Sequence, residues 1–208
     1  MQNPLVSVII VNRNGIELVE PCVRSVLANN YNNFEVIFVD NASNDGSLEL
    51  VKRIFAEDLR LKIIENPGSL GPAVGRNVGA RHAKGEYLAF LDNDTEVDKN
   101  WLIEFLKVLE KDKTIGAAQA KLLCMDTNFY DCAGDYLGPL GFLIERSRGQ
   151  EDIGQFDYVT DILSAKSAAS IIRRDLFERI GGFDSDFYMY LEETDLSWRV
   201  WLAGLRVV

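Results

Sequence analysis

The feature that most constrains the fold of this chain is the alternation of short apolar runs with segments of helical periodicity. Residues 6–11, 34–39 and 87–91 form nearly continuous apolar runs, which is typical of strands covered on both faces, and residues 61–64 form a shorter one. Helix-period segments lie between successive runs. The sequence therefore predicts right-handed βαβ units and an α/β fold, in which helices flank a mostly parallel central sheet.

Polar residues follow three of the predicted strands at their carboxyl ends. Asn12, Arg13 and Asn14 follow the first strand, Asp40 follows the second, and the segment 92–94 follows the fourth. Ligands of parallel α/β sheets bind at the carboxyl ends of the strands. We therefore expect the functional site at this edge of the sheet.

The second half of the chain has a less regular pattern. It predicts helices at residues 99–111, 174–180 and 196–203, strands at 115–123, 168–172 and 205–208, and a hairpin or long loop at about 124–158. The length of 208 residues fits one large domain, and the sequence contains no linker or internal repeat.

Charge and composition limit the classes of partner. The formal net charge of −10 argues against nucleic acid, because phosphate backbones bind basic surfaces. No apolar run approaches the roughly 20 residues that span a bilayer, and the first residues lack the pattern of a signal peptide. Three cysteines without C-x-x-C spacing fit a protein with reduced thiols. We therefore expect a cytoplasmic protein.

Asp92 and Asp94 form an Asp-x-Asp pair where the fourth predicted strand ends. Two carboxylates at such a turn can point to one position, and their oxygen atoms suit Mg²⁺ or Mn²⁺ together with substrate phosphates. Aspartate is also common in turns, so the pattern by itself leaves that alternative open.

Asp40 and a glycine-spaced helix entry provide further candidate contacts. Asp40 suits hydrogen bonding to a nucleobase or ribose, or an ion pair, and capping of the next helix is the alternative. Residues 68–79 place glycines before and within a predicted helix, whose first N–H groups can face phosphate. Arg76 is expected to pair with phosphate or with Asp40. Close packing of helix on sheet would equally explain Gly75 and Gly79.

An acid cluster, Glu192, Glu193 and Asp195, precedes a helical stretch that begins at about Leu196. A carboxylate here suits a general base that takes a proton from an acceptor hydroxyl. The alternative is a structural role, since acids at a helix N-terminus are favoured by about 0.3–1 kcal/mol each. The turn at residues 181–184 is expected either to contact an acceptor or to stop a helix.

In their order along the chain these segments resemble one family, the glycosyltransferase family 2 enzymes of the GT-A fold. The resemblance covers nearly the whole chain and rests on residues 6–15, 39–46, 75–79, 85–94, 181–184 and 192–196. It implies a Rossmann-like GT-A fold with one catalytic domain over residues 1–208. The nucleotide-binding half is then expected at about residues 1–95 and a smaller acceptor half at about 96–208.

The resemblance also implies roles for individual residues. Glu193 is implied as the catalytic base with Glu192 as its rival, and Asp94 as the metal ligand together with Asp92. The implied nucleotide-binding residues are Asn12, Asn14, Asp40, Arg76 and Asp92. The implied acceptor-side residues are Gly182, Phe183, Asp184 and Asp195. The implied reaction inverts the sugar: the base takes the acceptor proton, and Mg²⁺ or Mn²⁺ stabilises the departing nucleotide diphosphate.

The sequence departs from the family pattern at three points. Arg13 stands where an aromatic residue is frequent, and Glu193 stands where aspartate is commoner. The chain also ends soon after the acid cluster, where members usually continue and often carry a metal-binding histidine. We therefore expect a fragment of a longer enzyme.

The implied donor is a UDP- or TDP-sugar, and the implied acceptor is a glycan or a lipid-linked molecule, as for rhamnosyltransferase-like members. Such an acceptor is compatible with peripheral association of the full-length protein at the cytoplasmic face of a membrane. Two alternatives stay open. One is a non-catalytic sugar-nucleotide or glycan-binding module. The other is a sugar-nucleotide pyrophosphorylase, which needs a glycine-rich, arginine-containing loop where residues 12–15 read Asn-Arg-Asn-Gly.

Overall fold

The computed structural model describes residues 3–208. The strands are β1 (Val6–Asn12), β2 (Phe34–Asp40), β3 (Leu61–Glu65), β4 (Tyr87–Asp92), β5 (Ile115–Gln119), β6 (Leu122–Leu123), β7 (Tyr130–Cys132), β8 (Asp135–Leu137), β9 (Leu143–Glu145), β10 (Ala169–Arg173) and β11 (Arg206–Val207). The α-helices are α1 (Val19–Leu27), α2 (Ser47–Ile54), α3 (Gly71–His82), α4 (Trp101–Lys111), α5 (Arg174–Arg179) and α6 (Glu192–Leu202), and a 3-10 helix spans Ser185–Phe187.

Seven strands form one sheet in the order β11-β5-β10-β4-β1-β2-β3. β1 pairs in parallel with β2 and β4, and β2 pairs in parallel with β3. β10 runs antiparallel to both β4 and β5. The predicted α/β fold with a mostly parallel central sheet flanked by helices is therefore confirmed.

Helices cover both faces of the sheet. On one face α1, α2 and α4 pack in a cluster with Val8 and Ile10 of β1, and on the other α3, α5 and α6 pack with Ile9 and Ile37. Successive side chains of a strand point to opposite faces, so β1 contributes to both clusters. This burial on two sides is the reason that the first strands are apolar at nearly every position.

Helix α3 lies very close to the sheet because of two glycines. A Cβ atom on Gly79 would lie 2.4 Å from Cγ2 of Ile9, and one on Gly75 would lie 2.8 Å from Cγ1 of Val11. These two glycines therefore allow close packing of the helix on the sheet, which was the structural alternative for them. The close approach also fixes the position of Arg76, which follows Gly75 in the same helix.

The second half differs from the sequence prediction in its details. The predicted strand at 115–123 is two strands, β5 and β6, and the segment 124–158 contains β7 and the hairpin β8–β9. The prediction that the acid cluster precedes its helix is wrong, because these acids form the first turn of α6. Helical periodicity begins only at Leu196, since that first turn carries no apolar side chain. Within residues 3–208 no helix combines the length and apolar character of a membrane span.

Candidate active site

The carboxyl ends of β1, β2 and β4 lie side by side and carry polar side chains. In the register of the sheet Asn12 is opposite Asp40 of β2, and Val11 is opposite Asp92 of β4. The polar clusters that follow these strands therefore meet at one edge of the sheet, as the parallel topology requires.

Asn12 is the centre of a hydrogen-bond network and is fully buried. Its Oδ1 accepts a hydrogen bond from Nδ2 of Asn93 at 2.6 Å. Because Asn93 stands inside the Asp-x-Asp pair, this bond ties that pair to β1. The two N–H groups of Asn12 Nδ2 are shared among three acceptors, which lie at these distances from the nitrogen: Asp40 Oδ1 at 3.1 Å, Ser43 Oγ at 3.1 Å and Ser47 Oγ at 2.9 Å.

Asp40 is 2% exposed, and both of its carboxylate oxygens accept hydrogen bonds from the following turn. Oδ1 accepts from the Ser43 hydroxyl at 2.6 Å, and Oδ2 accepts from the Ser43 backbone N–H at 2.9 Å. The carboxylate therefore stabilises the turn that leads to α2. It does not cap α2, whose N-cap is Gly46 and has no side-chain hydrogen bond. The suggested pair between Asp40 and Arg76 is wrong, since Arg76 binds two other carboxylates.

Asn14 and Arg13 lie at the exposed rim beside Asp40. Asn14 has a φ of +54°, a left-handed conformation that asparagine adopts more readily than most residues. Its Oδ1 accepts a hydrogen bond from the Asn44 backbone N–H at 2.8 Å. The Arg13 guanidinium donates to the carbonyl oxygen of Asn41 at 3.1 Å. Both side chains thus hold the β2–α2 turn against the end of β1.

Arg76 joins the Asp-x-Asp pair to the acid cluster. Its Nη2 donates to Asp92 Oδ1 at 2.7 Å, and its Nη1 donates to Glu192 Oε1 at 2.7 Å. The Arg76 and Glu192 side chains are 7% and 4% exposed, so this ion pair forms away from bulk water, whereas the Asp92 side chain is 38% exposed. Burial alone would lower the pKa of Arg76, but the two carboxylates outweigh it and the pKa is raised. Three segments that are distant in sequence therefore meet at one guanidinium.

Glu192 and Glu193 differ in their surroundings although they are neighbours in α6. Glu192 is 3% exposed and binds Arg76 through Oε1. Its Oε2 is buried without a hydrogen-bond partner among the residues of the described range 3–208. For Glu193, burial and then the negative charge of Glu192 raise the pKa to about 7, while Arg76 acts in the opposite direction. A carboxyl group that titrates near neutrality suits proton transfer.

The Asp-x-Asp pair fits a divalent cation that is shared with a diphosphate. Burial and the negative charges of Asp92 and Asp131 raise the pKa of Asp94. Between residues 3 and 208 no three His, Cys, Asp or Glu side chains form a ready cluster of metal ligands. Two carboxylates completed by phosphate oxygens and water are a usual shell for Mg²⁺, and this donor set matches it.

Gly182 and Phe183 lie beside α3, close to Asn77 and Arg76 respectively. Phe183 is 2% exposed and packs edge-on against Phe90, with ring centroids 5.0 Å apart. The Arg76 guanidinium lies 5.6 Å from the Phe183 ring centroid. Gly182 has a φ of +71°, and a Cβ atom there would lie 2.8 Å from Oδ1 of Asn77. Phe183 therefore packs against Arg76, and Gly182 allows the chain to approach Asn77 of the same helix.

Asp184 and Asp195, the other acceptor-side candidates, each have a local partner. Asp184 is exposed and accepts a hydrogen bond from the backbone N–H of Asp186 at 3.0 Å, which caps the 3-10 helix. Asp195 forms an ion pair with Arg199, one turn further along α6.

Sequence reasoning missed several polar residues of the network. The position of Asn93 between the two aspartates could have indicated a role in the site. Asparagine is so common in turns that its presence there does not distinguish a functional residue. The others belong to the polar β2–α2 turn or to the loop before α3: Asn41, Ser43, Ser47 and Asn66.

A cleft of about 1270 Å³ opens beside Asp92 and Asp94. Its opposite wall comes from the second half of the chain and includes Arg146, Phe156 and Tyr158. The Arg146 guanidinium lies 4.4 Å from the ring centroid of Phe156 and donates to the Tyr158 hydroxyl at 2.8 Å. The cleft therefore connects the strand-end site to the segment 124–158.

The family model described as glycosyl transferase family 2 matches residues 7–181. The chain is 32% identical over 213 residues to the O-antigen biosynthesis protein RfbC of Myxococcus xanthus, an alignment that covers 99% of this chain and 16% of RfbC. It is 28% identical over 182 residues to the glycosyltransferase AglE of Haloferax volcanii, which covers 86% of this chain and 56% of AglE.

Solved structures of glycosyltransferases also superpose on nearly the whole of this chain. The mannosyltransferase PcManGT of Pyrobaculum calidifontis, in complex with GDP-Man and Mn²⁺, superposes with a TM-score of 0.75 at 25% identity, over 99% of this chain and 54% of that one. GalNAc-T7 with UDP, GalNAc and Mn²⁺ superposes with a TM-score of 0.78 at 21% identity, over 98% of this chain and 42% of that one, and shows likeness of fold.

The chain spans about half the length of PcManGT and 16% of that of RfbC. The family model nevertheless extends over most of the chain, and the superpositions cover nearly all of it. On these grounds the chain has the GT-A fold and belongs to glycosyltransferase family 2.

Proposed function

We propose that this chain is the catalytic domain of an inverting glycosyltransferase, which moves a sugar from a nucleotide-diphosphate donor to an acceptor hydroxyl with the help of Mg²⁺ or Mn²⁺. The observation that carries the proposal is the buried Arg76, which binds Asp92 of the Asp-x-Asp pair and Glu192 of the acid cluster. Through Arg76 the candidate donor site and the candidate base lie within one site.

In this proposal residues 1–95 hold the donor. Asn12, Asn14 and Asp40 form the corner for the nucleobase, and Asp92, oriented by Arg76, faces the ribose. The nucleotides in the two superposed structures, GDP-Man and UDP, support a nucleotide sugar as donor. The family resemblance favours UDP- and TDP-sugars as donors, and the complex of PcManGT with GDP-Man supports a GDP-sugar as a third candidate.

Asp94 and Asp92 would hold the metal ion. A bound Mg²⁺ or Mn²⁺ supplies positive charge that stabilises the departing nucleotide diphosphate. Burial and then the negative charge of Asp92 raise the pKa of Asp94, and such a cation would favour the ionised form of this carboxyl group. Mn²⁺ in both superposed structures supports this assignment.

Glu193 is the proposed general base. Its carboxylate takes the proton of the acceptor hydroxyl while that oxygen forms a bond to the anomeric carbon. The bond from this carbon to the diphosphate oxygen breaks on the opposite side, and the electron pair leaves with the nucleotide diphosphate. A pKa of about 7 allows Glu193 to be largely ionised just above neutrality and still to accept a proton. Glu192 is less suited to this role, because Arg76 holds it in a buried ion pair.

Residues 96–208 form the acceptor side in this proposal, with the cleft beside Asp94 as the entry for a glycan or lipid-linked acceptor. The name of RfbC, an O-antigen biosynthesis protein, supports polysaccharide synthesis as the setting.

The test is a transfer assay with a panel of nucleotide sugars and Mn²⁺, in which release of nucleotide diphosphate and glycosylated product are both measured. The substitution Glu193→Gln should lower kcat by about 10²–10⁴-fold, the typical contribution of a general base, and leave donor affinity unchanged. Glu57→Gln, at an exposed position before β3, is the matched control. Transfer by the Glu193→Gln variant at the rate of the unchanged protein would contradict the proposal. Donor binding without any turnover would instead indicate a non-catalytic binding module.

A further inference from the structure

The wall of the cleft that comes from the second half of the chain carries an arginine without a charged partner. The cations among the residues that line the cleft are Lys121 and Arg146, and carboxylates outnumber them there. Lys121 binds Asp152 and Asp157, each at 2.7 Å. Among the residues that the structure describes, Arg146 forms no ion pair, and its one side-chain hydrogen bond goes to the uncharged hydroxyl of Tyr158 at 2.8 Å. The positive charge of Arg146 is therefore uncompensated within the described chain.

Two aromatic rings fix the orientation of the Arg146 guanidinium. It lies 4.4 Å from the ring centroid of Phe156 and 5.1 Å from that of Tyr158. A guanidinium is planar, and its five N–H groups point outward in that plane. The Tyr158 hydroxyl accepts a hydrogen bond from one of them. The others have no acceptor among the described residues, so they can bind a ligand that enters the cleft.

The segment that carries these rings is itself held in place. Phe156 packs edge-on against Tyr130, with ring centroids 5.3 Å apart, and Tyr130 is fully buried. Lys121 binds an aspartate on either side of Phe156 in the sequence. The backbone N–H of Arg146 donates to the carbonyl oxygen of Gly134 at 2.8 Å. Both the arginine and the rings beside it are therefore positioned before any ligand binds, which lowers the entropy cost of binding.

We propose that Arg146, with Phe156 and Tyr158, forms a subsite for an anionic group of the acceptor, a phosphate or a carboxylate. Both groups present pairs of oxygen atoms, which the planar fork of a guanidinium binds through two parallel hydrogen bonds. The carboxylates of the cleft repel an anion at other positions, so Arg146 determines where the charge of the acceptor lies. The role of the bound molecule as acceptor rests on the proposed function, whereas anion binding at Arg146 is a property of the protein alone.

Three matched sugars test the subsite: glucose 1-phosphate, glucuronic acid and neutral glucose. The titrations are done without metal, so that the Asp-x-Asp pair does not recruit phosphate. At least one anionic sugar should bind at least about 10-fold more tightly than glucose and should shift the Nε–H signal of Arg146 in nitrogen NMR. Tighter binding of glucose 1-phosphate identifies a phosphate subsite, and tighter binding of glucuronic acid identifies a carboxylate subsite. The same affinity for all of them, or an Arg146 signal that does not move, overturns the proposal.

Two substitutions assign the binding to Arg146. Arg146→Gln removes the charge and should abolish the preference for the anionic sugar, whereas Arg146→Lys keeps the charge without the planar fork and should retain part of it. Arg179→Gln, at an exposed position of α5, is the charge-matched control and should keep the full preference. An Arg146→Gln variant that keeps the full preference overturns the proposal.

A purely structural role of Arg146 gives a different result. If this residue only holds the wall together, its replacement changes the affinity for glucose and for the anionic sugars by the same factor, which overturns the proposal. If neither Arg146 variant folds, the unchanged protein decides: a preference for an anionic sugar together with the shift of the Arg146 signal supports the subsite, and the absence of either overturns it.

A transfer assay separates the subsite from the proposed function. With an acceptor that carries the preferred anionic group, Arg146→Gln should raise KM at least about 10-fold and leave kcat nearly unchanged, since the contact lies away from the reacting atoms. If the anionic sugar binds at Arg146 but no donor is turned over, the subsite stands and the proposed function fails. If sugar is transferred and Arg146→Gln leaves KM unchanged for every acceptor, the proposed function stands and the subsite fails.

Discussion

At the scale of single residues, the surroundings of Asp94 disfavour the negative charge of its carboxylate. Asp94 is exposed, and partial desolvation together with the negative charges of Asp92 and Asp131 raises the pKa of its carboxyl group. Asp92 is compensated by Arg76, which reaches it from α3. Asp94 is therefore the carboxylate of the pair that gains most from a bound cation.

The substitution Asp94→Asn tests this role. The variant should lose at least about 10-fold in affinity for Mn²⁺ in the presence of UDP, because one of two ligand charges is removed. Free Mn²⁺ can be followed by electron paramagnetic resonance during the titration. Asp175→Asn, at an exposed position of α5, is the control and should bind as the unchanged protein does. Equal Mn²⁺ affinity of the Asp94→Asn variant would exclude Asp94 as a ligand.

At the scale of the elements, β1 to β4, β10 and β11 could be predicted from sequence, β5 only as part of a longer strand, and β6 to β9 not as separate strands. The first strands are buried on both faces and read as continuous apolar runs, whereas β6 to β9 span two or three residues each. The same contrast holds for the site. The parallel topology places Asp40 and Asp92 at one edge of the sheet, but the pairing of Arg76 with Glu192, 116 residues apart, depends on packing that no local pattern encodes.

The contact of α3 with the sheet gives a prediction of its own. Alanine at position 79 improves helix propensity by about 1 kcal/mol but places a Cβ atom 2.4 Å from Ile9, so Gly79→Ala should lower the free energy of unfolding by about 1–3 kcal/mol. Urea unfolding measures this difference. The control is Gly68→Ala, where a Cβ atom meets nothing within 4 Å and stability should change by less than about 0.5 kcal/mol. A Gly79→Ala variant as stable as the unchanged protein would mean that α3 does not pack closely against β1 at this position.

At the scale of the whole molecule, a buried ion pair joins the first and second halves of the chain at the site. Arg76 of the first half and Glu192 of the second are both nearly excluded from water. Breaking one side of a buried pair leaves an uncompensated charge and costs about 3–5 kcal/mol, whereas apolar replacement of both sides is often neutral. An exposed pair such as Arg24 and Glu20 contributes about 0–1 kcal/mol.

These magnitudes predict a double-mutant cycle. Arg76→Met should lower the free energy of unfolding by about 3–5 kcal/mol, and the further change Glu192→Met should restore more than half of that loss. Arg24→Met should stay within about 1 kcal/mol of the unchanged protein. Denaturant unfolding of the unchanged protein, the single variants Arg76→Met and Glu192→Met, the double variant and the control gives the coupling energy. Additive losses in the double variant would show that the two charges do not interact.

Calorimetric titration of the protein with UDP-, TDP- and GDP-sugars, each with and without Mn²⁺, decides whether the polar edge of the sheet is a donor site. Asp92, Asp94 and the network around Asn12 predict that at least one of these donors binds, and that its affinity falls at least about 10-fold when the metal is withheld. Equal affinity in the presence and absence of Mn²⁺, or no binding of any nucleotide sugar in its presence, would contradict the assignment.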